Sequence, residues 1–146
     1  MEIIAVQLDL GRQKETFDFL KSFVDNAKNR GYNTIILYIE CSIRTKVTSF
    51  LDVDDTYSMD EIREIADYIE ASGLTAVPAF ENFYHIEKLL QYKEAAKFSE
   101  FTDERTEGRG WASERFKRGA VGCTSNPDFN KFFDAYITEV CSVFHG

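Results

Sequence analysis

The chain has 146 residues and a mass of 16.8 kDa, enough for one ordinary domain but well short of the roughly 250 residues of a closed eight-stranded α/β barrel. Hydrophobic residues make up 44% and charged residues 29%, with only two prolines and eight glycines, a globular composition with no disordered or fibrous signature. The formal net charge of −8 repels a phosphate backbone and sets nucleic acid aside as a partner, and no apolar run approaches the length that spans a bilayer, so no membrane partner is expected.

Residues 3–10 form a short apolar run ending in Asp9-Leu10-Gly11-Arg12, the pattern of a buried strand followed by a loop. Phe17, Leu20, Phe23, Val24 and Ala27 then recur at helical spacing, with Lys28 and Arg30 in the last turn and Gly31 as the stop. Residues 34–39 (TIILYI) read as a second buried strand. A polar loop carrying Asp52, Asp54 and Asp55 follows, and Ser58-Met59-Asp60-Glu61 has the spacing of a capping box. Ile62, Ile65, Ala66 and Ile69 make the inward stripe of that helix, and Gly73 ends it. Residues 74–80 (LTAVPAF) predict a third strand, with Pro78 marking where pairing stops. Residues 86–98 have a helix-like pattern, whereas about 99–122 the charges crowd around Gly108, Gly110, Gly119 and Gly122 and predict an irregular excursion. A last helix opens at Ser125-Asn126-Pro127-Asp128 and carries Phe129, Phe132, Phe133, Tyr136, Ile137, Val140 and Phe144 on its apolar face.

Strands alternating with helices, without a tight hairpin signal between them, predict an α/β fold of parallel βα units with right-handed crossovers. The whole chain, 1–146, reads as one such domain. In these sheets the loops after the carboxyl ends of the strands carry the site, here residues 9–13, 40–44 and 81–87. The first offers Asp9 and Arg12, whose guanidinium is a planar fork of donors suited to a carboxylate, a phosphate or a pair of sugar hydroxyls. The second offers Glu40 and Arg44. The third offers Glu81, Asn82, Tyr84, His85 and Glu87, and His85 is one of only two histidines in the chain. Taken singly, each arginine is best read as half of an ion pair and the histidine as a structural residue. What singles them out is that adjacent parallel strands bring them to one rim.

Several other patterns carry little. His85-Ile86-Glu87 imitates the H-x-E of zinc deaminases, but no P-C-x-x-C follows, so no metal is assigned. The aspartates at 52–55 lack the glycine and distant glutamate of an EF-hand loop. Gly108-Arg109-Gly110 is too short for an RNA-binding segment, and neither a phosphate-loop glycine pattern nor a G-x-S-x-G elbow is present; no cofactor is expected. Cys41, Cys123 and Cys141 are odd in number and form no C-x-x-C pair, and no secretory signal is visible, so free thiols and a cytoplasmic location are the expectation.

The three loops resemble those of glycoside hydrolase family twenty, the exo-acting β-N-acetylhexosaminidases. Asp9-Leu10-Gly11-Arg12 resembles the family's D-x-x-R at the end of the first barrel strand, whose arginine binds hydroxyls of the terminal sugar. Glu40 with Arg44 falls where the family has acidic residues followed by W-R. Pro78 followed seven residues later by His85 resembles P-E-I-D-x-P-G-H at the third strand. Cys123-Thr124-Ser125-Asn126-Pro127-Asp128 is similar to the segment before the fourth strand. Departures are Ile43 for a tryptophan, Tyr84 for a glycine, and Ala79 and Asn82 at positions the family fills otherwise.

The resemblance covers almost the whole chain and implies about the first three βα repeats of a partial TIM barrel. It also implies a carbohydrate substrate, hydrolysed with the substrate's own acetamido group as nucleophile. Asp9, Arg12, Arg44 and Glu81 would contact the sugar, while Glu40 would orient His85. The family's catalytic Asp-Glu pair, in H-x-G-x-D-E, would lie beyond Gly146, so this chain is expected to be the first portion of a longer enzyme. A second expectation is a non-catalytic half-barrel that binds a carbohydrate or other small ligand and self-associates through an open sheet edge and the last helix.

Overall fold

The computed structural model describes residues 2–81, 83–100 and 121–145. In chain order the elements are β1 (Ala5–Asp9), α1 (Phe17–Asn29), β2 (Thr34–Ile39), β3 (Ile43–Arg44), β4 (Tyr57–Ser58), α2 (Met59–Ala71), β5 (Thr75–Phe80), α3 (Glu87–Leu90) and α4 (Pro127–Cys141), with a 3-10 turn at Ala96–Phe98. The three longer strands form one parallel sheet in the order β1-β2-β5. This is the expected α/β arrangement of βα repeats.

The register explains which residues meet. Asp9 lies opposite Tyr38, and Tyr38 opposite Ala79. Because side chains alternate along a strand, Val6, Leu8, Ile35, Leu37, Ile39 and Ala76 share one face. They form one core with Leu20, Val24 and Ala27 of α1 and Ile62, Ile65, Ala66 and Ile69 of α2. Burying each large aliphatic side chain contributes about 1.5–3 kcal/mol, so this layer is the main support of the sheet. The opposite face is more open: Gln7 and Val77 are exposed, and Ile36, Tyr38 and Ala79 are half-buried.

Local chemistry sets the helix ends. The Phe19 amide donates to Thr16 Oγ1 (3.3 Å), and the capping box is formed, with Glu61 N donating to Ser58 Oγ (3.2 Å) and Ser58 N to Glu61 Oε2 (2.6 Å). Gly31 and Gly73 take φ of 85° and 82° at the helix exits, where a side chain would be strained. Asn126 Oδ1 accepts from the amides of Asp128 and Phe129 at the start of α4.

Three expectations need correction. Pairing does not stop at Pro78, since β5 stays in register with β2 through Phe80. Thr75 N donates to Asn33 O, so by alternation Val77 and Ala79 also face β2, and Pro78 turns its missing N–H to the outer edge, where nothing is lost. Residues 86–98 are not one helix. Ile86, Leu89, Leu90, Ala95 and Phe98 are all buried, and Ala95 would stand roughly half a turn from Ile86 on an ideal helix. The segment breaks instead into a single helical turn and successive tight turns, including Tyr92 N to Leu89 O (3.1 Å) and Phe98 N to Ala95 O (2.9 Å). Finally, the polar loop after β2 contains a second, two-stranded parallel sheet, because Ile43 and Tyr57 are buried at 0% and 2% exposure and pair across it.

The apolar face of α4 is mostly covered. Phe129, Phe133, Tyr136 and Val140 are buried, and Phe129 and Phe133 pack with Phe98 and Phe83 in a continuous aromatic cluster. The excursion expected at about 99–122, with Gly108-Arg109-Gly110, lies mainly outside the described residues. Its two ends are joined by an antiparallel bridge between Ser99 and Gly122.

Candidate functional site

Asp9, the last residue of β1, accepts from Gly11 N at Oδ1 (2.9 Å) and lies 3.3 Å from Arg12 Nε at Oδ2. This short Asx turn bends the chain back and aims the guanidinium across the strand ends. Arg12 Nη2 reaches Glu40 Oε1 at 3.4 Å. Glu40 is only 2% exposed, whereas the Arg12 side chain is 53% exposed, so a buried acid is tied to a cation that still faces solvent. Glu40 above all raises the pKa of Arg12; burial, next in size, opposes this, and Asp9 and Glu87 add to the rise. Gly11 makes the approach possible, since a Cβ there would fall 2.7 Å from Glu40 Cγ.

Tyr38, beside Asp9 in the register, donates its hydroxyl to Glu81 Oε1 just beyond β5. Burial raises the phenol's pKa first, followed by the bond to Glu81 and the charges of Glu81, Glu40 and Asp9. The Cys41 thiol is pushed up to about 12 by burial and the neighbouring Glu40, with Lys88 opposing, so it is an inert core group. Beside Arg12 opens a cleft of about 280 Å³ lined by Gly11, Arg12, Lys88 and Gln91.

Of the residues singled out in the sequence, Asp9, Arg12 and Glu40 meet directly, and Glu81 stands with Tyr38. Arg44 is engaged with another part of the chain. Its Nη1 donates to Thr56 O (2.6 Å), Thr56 Oγ1 (2.7 Å) and Val53 O (3.2 Å), and its Nη2 lies 4.0 Å from Glu61, which clasps the loop between β3 and β4. His85 is exposed, with φ of 57°, a left-handed conformation uncommon for a residue other than glycine. No hydrogen bond or ion pair among the described residues joins it to Glu40. Asn82 lies outside the described residues. Tyr38, Lys88 and Gln91 were not singled out by the sequence; the signal for Tyr38 was its place out of phase with Ile35, Leu37 and Ile39.

The arrangement suits recognition of a polyhydroxylated neutral ligand: a guanidinium fork supplies donors and carboxylates supply acceptors. Among the described residues, no group of three His, Cys, Asp or Glu side chains is placed to hold a metal ion. No described helix is long and apolar enough to cross a membrane.

No family model and no curated protein matches the chain. Solved structures do. The chitobiase of Flavobacterium johnsoniae is matched with a TM-score of 0.79 at 22% identity, over 99% of this chain and 22% of that one. The exo-β-N-acetylglucosaminidase of glycoside hydrolase family twenty from Vibrio harveyi gives 0.76 at 17% identity, over 97% of this chain and 26% of that one. The β-N-acetylhexosaminidase of Bacteroides fragilis gives 0.75 at 21% identity, over 97% and 30%. The chain thus has the fold of part of the TIM barrel of family-twenty glycoside hydrolases, as the loop motifs implied. It spans less than a third of each of these enzymes.

Proposed function

We propose that this chain is the sugar-gripping portion of a β-N-acetylhexosaminidase-like enzyme, in which Arg12 donates to hydroxyls of the terminal β-N-acetylhexosamine. The observation that carries the reading is the chain of contacts Asp9–Arg12–Glu40, which fixes a half-exposed guanidinium at the strand ends beside an open cleft. Glu81 supplies an acceptor on the same rim. Glu40 and His85 serve in orienting roles, and the Asp-Glu pair of the substrate-assisted reaction, the aspartate orienting the acetamido group and the glutamate acting as general acid, comes from the remainder of the enzyme. The substrate's acetamido oxygen attacks its own anomeric carbon as the glycosidic C–O bond breaks and the departing oxygen takes a proton from the general acid, so the duty of this part of the protein is to hold the ring in place.

The test is the protein that carries this chain, assayed on aryl β-N-acetylglucosaminides and galactosaminides. Release by the wild type, with kcat/KM reduced roughly a hundredfold in Arg12→Ala, supports the proposal; this is about 2.7 kcal/mol, the scale of a charge-assisted hydrogen-bond pair. No release from either substrate, with sugar affinity unchanged in Arg12→Ala, refutes it. A second reading, a non-catalytic sugar-binding half-barrel that associates through the outer edges of β1 and β5, rests on the same contacts. It predicts sugar binding that depends on Arg12, without release.

A further inference from the structure

We propose that Tyr38 is a positioning residue that aims Glu81 at the ligand, so that Glu81 accepts a hydrogen bond from a hydroxyl of the same sugar ring to which Arg12 donates. This rests on the sugar-binding reading above and names the second side of the grip. Asp9, Tyr38 and Ala79 lie side by side on three strands. Glu81, two residues beyond Ala79, returns to the same open face by the alternation of the strand. There the Tyr38 hydroxyl donates to Glu81 Oε1.

The two carboxylates nearest this row differ in what they leave available. Both oxygens of Asp9 are engaged, one by Gly11 N and the other by Arg12 Nε. Glu81 is held at Oε1, while its Oε2 has no hydrogen bond or ion pair among the described residues. Arg12 shows the complementary pattern: Nε goes to Asp9 and Nη2 to Glu40, and Nη1 has no described partner. A fixed acceptor and a fixed donor therefore remain on one rim. A sugar hydroxyl both donates and accepts, so neighbouring hydroxyls of one ring satisfy the pair. An anionic ligand would meet Asp9, Glu40 and Glu81, and a cationic one would meet Arg12. The chemistry selected is a neutral polyol. Without Tyr38, Glu81 loses its orientation, and ordering it becomes a cost of binding.

The experiment is a titration of the protein with N-acetylglucosamine by isothermal calorimetry, using wild type, Tyr38→Phe, Glu81→Gln, the double variant and Arg12→Ala. Far-UV circular dichroism checks that each is folded. Tyr38→Phe and Glu81→Gln are each expected to weaken binding roughly tenfold, and the double variant is expected to bind no worse than Glu81→Gln alone. A merely structural Tyr38 would instead give losses that add. Glu81→Asp keeps the charge, withdraws it from Tyr38 by one methylene and leaves Tyr38 unchanged, so it tests the pair independently and is also expected to lose about tenfold. Wild-type affinity in Tyr38→Phe or Glu81→Asp, or additive losses in the double variant, overturns the proposal while Arg12-dependent binding preserves the sugar reading. A folded wild type that binds no N-acetylglucosamine overturns both.

Discussion

Replacing Gly11 by alanine tests the packing on which the site depends. The added methyl would lie 2.7 Å from Glu40 Cγ and 2.9 Å from both Cβ and Cδ. Two of these atoms sit near the root of the Glu40 side chain, which is 2% exposed, so no swing of a flexible tip relieves the clash. Either the chain at residue 11 retreats from β2 or Glu40 is displaced, and both lengthen the 3.4 Å contact between Arg12 and Glu40. Overpacking of this kind costs about 1–3 kcal/mol. In a chain of this size each kcal/mol shifts Tm by roughly 2–4 °C, so a fall of about 2–12 °C is expected in a thermal melt followed by circular dichroism. Affinity for N-acetylglucosamine should fall with it, because the guanidinium loses its support. A Tm within about 1 °C of wild type, together with unchanged sugar affinity, would refute the reasoning.

Other changes probe the scaffold. Ile65→Ala empties a site that is 1% exposed between α2 and the sheet and should cost about 2–5 kcal/mol in urea unfolding. A loss below about 1 kcal/mol would contradict the assigned core. Ser58→Ala removes one half of the capping box and should destabilise by about 1 kcal/mol; no measurable change would mean that the cap contributes nothing. Burial alone would raise the Glu61 pKa, but the Ser58 amide, Lys14 and the Ser58 hydroxyl more than offset it, and the carboxyl lies below its ordinary value. Its contribution is therefore full above the unfolded value of about 4.3 and is lost as pH falls through the lower folded value. The Tm gap between wild type and Glu61→Gln should be widest near neutrality and narrow below about pH 4; a gap constant down to pH 3 would exclude this linkage.

The fold was legible where periodicity and burial agree. β2 occupies the run TIILYI, and α2 begins at its capping box, because both are specified by contiguous residues. The segment 86–98 misled because its apolar residues serve two directions, so counting them suggested a stripe where the chain turns. The pairing of Ile43 with Tyr57 joins residues far apart in sequence, and no local signal announces it. Within the candidate site, Asp9 and Arg12 were readable because their contact is local, and Glu40 because it directly follows a strand. Arg44 had the same sequence credentials as Arg12. Its assignment to the β3–β4 loop depends on Thr56 and Val53, whose position only the folded chain supplies. Tyr38 was hidden inside a strand that reads as wholly apolar.

The most direct test of the central claim is a structure of the protein with N-acetylglucosamine bound. The account predicts density for the sugar over the ends of β1, β2 and β5, with a ring hydroxyl at about 2.7–3.2 Å from the Arg12 guanidinium and another at similar distance from Glu81. A saturated protein whose sugar lies elsewhere, with Arg12 still turned only to Asp9 and Glu40, would contradict it.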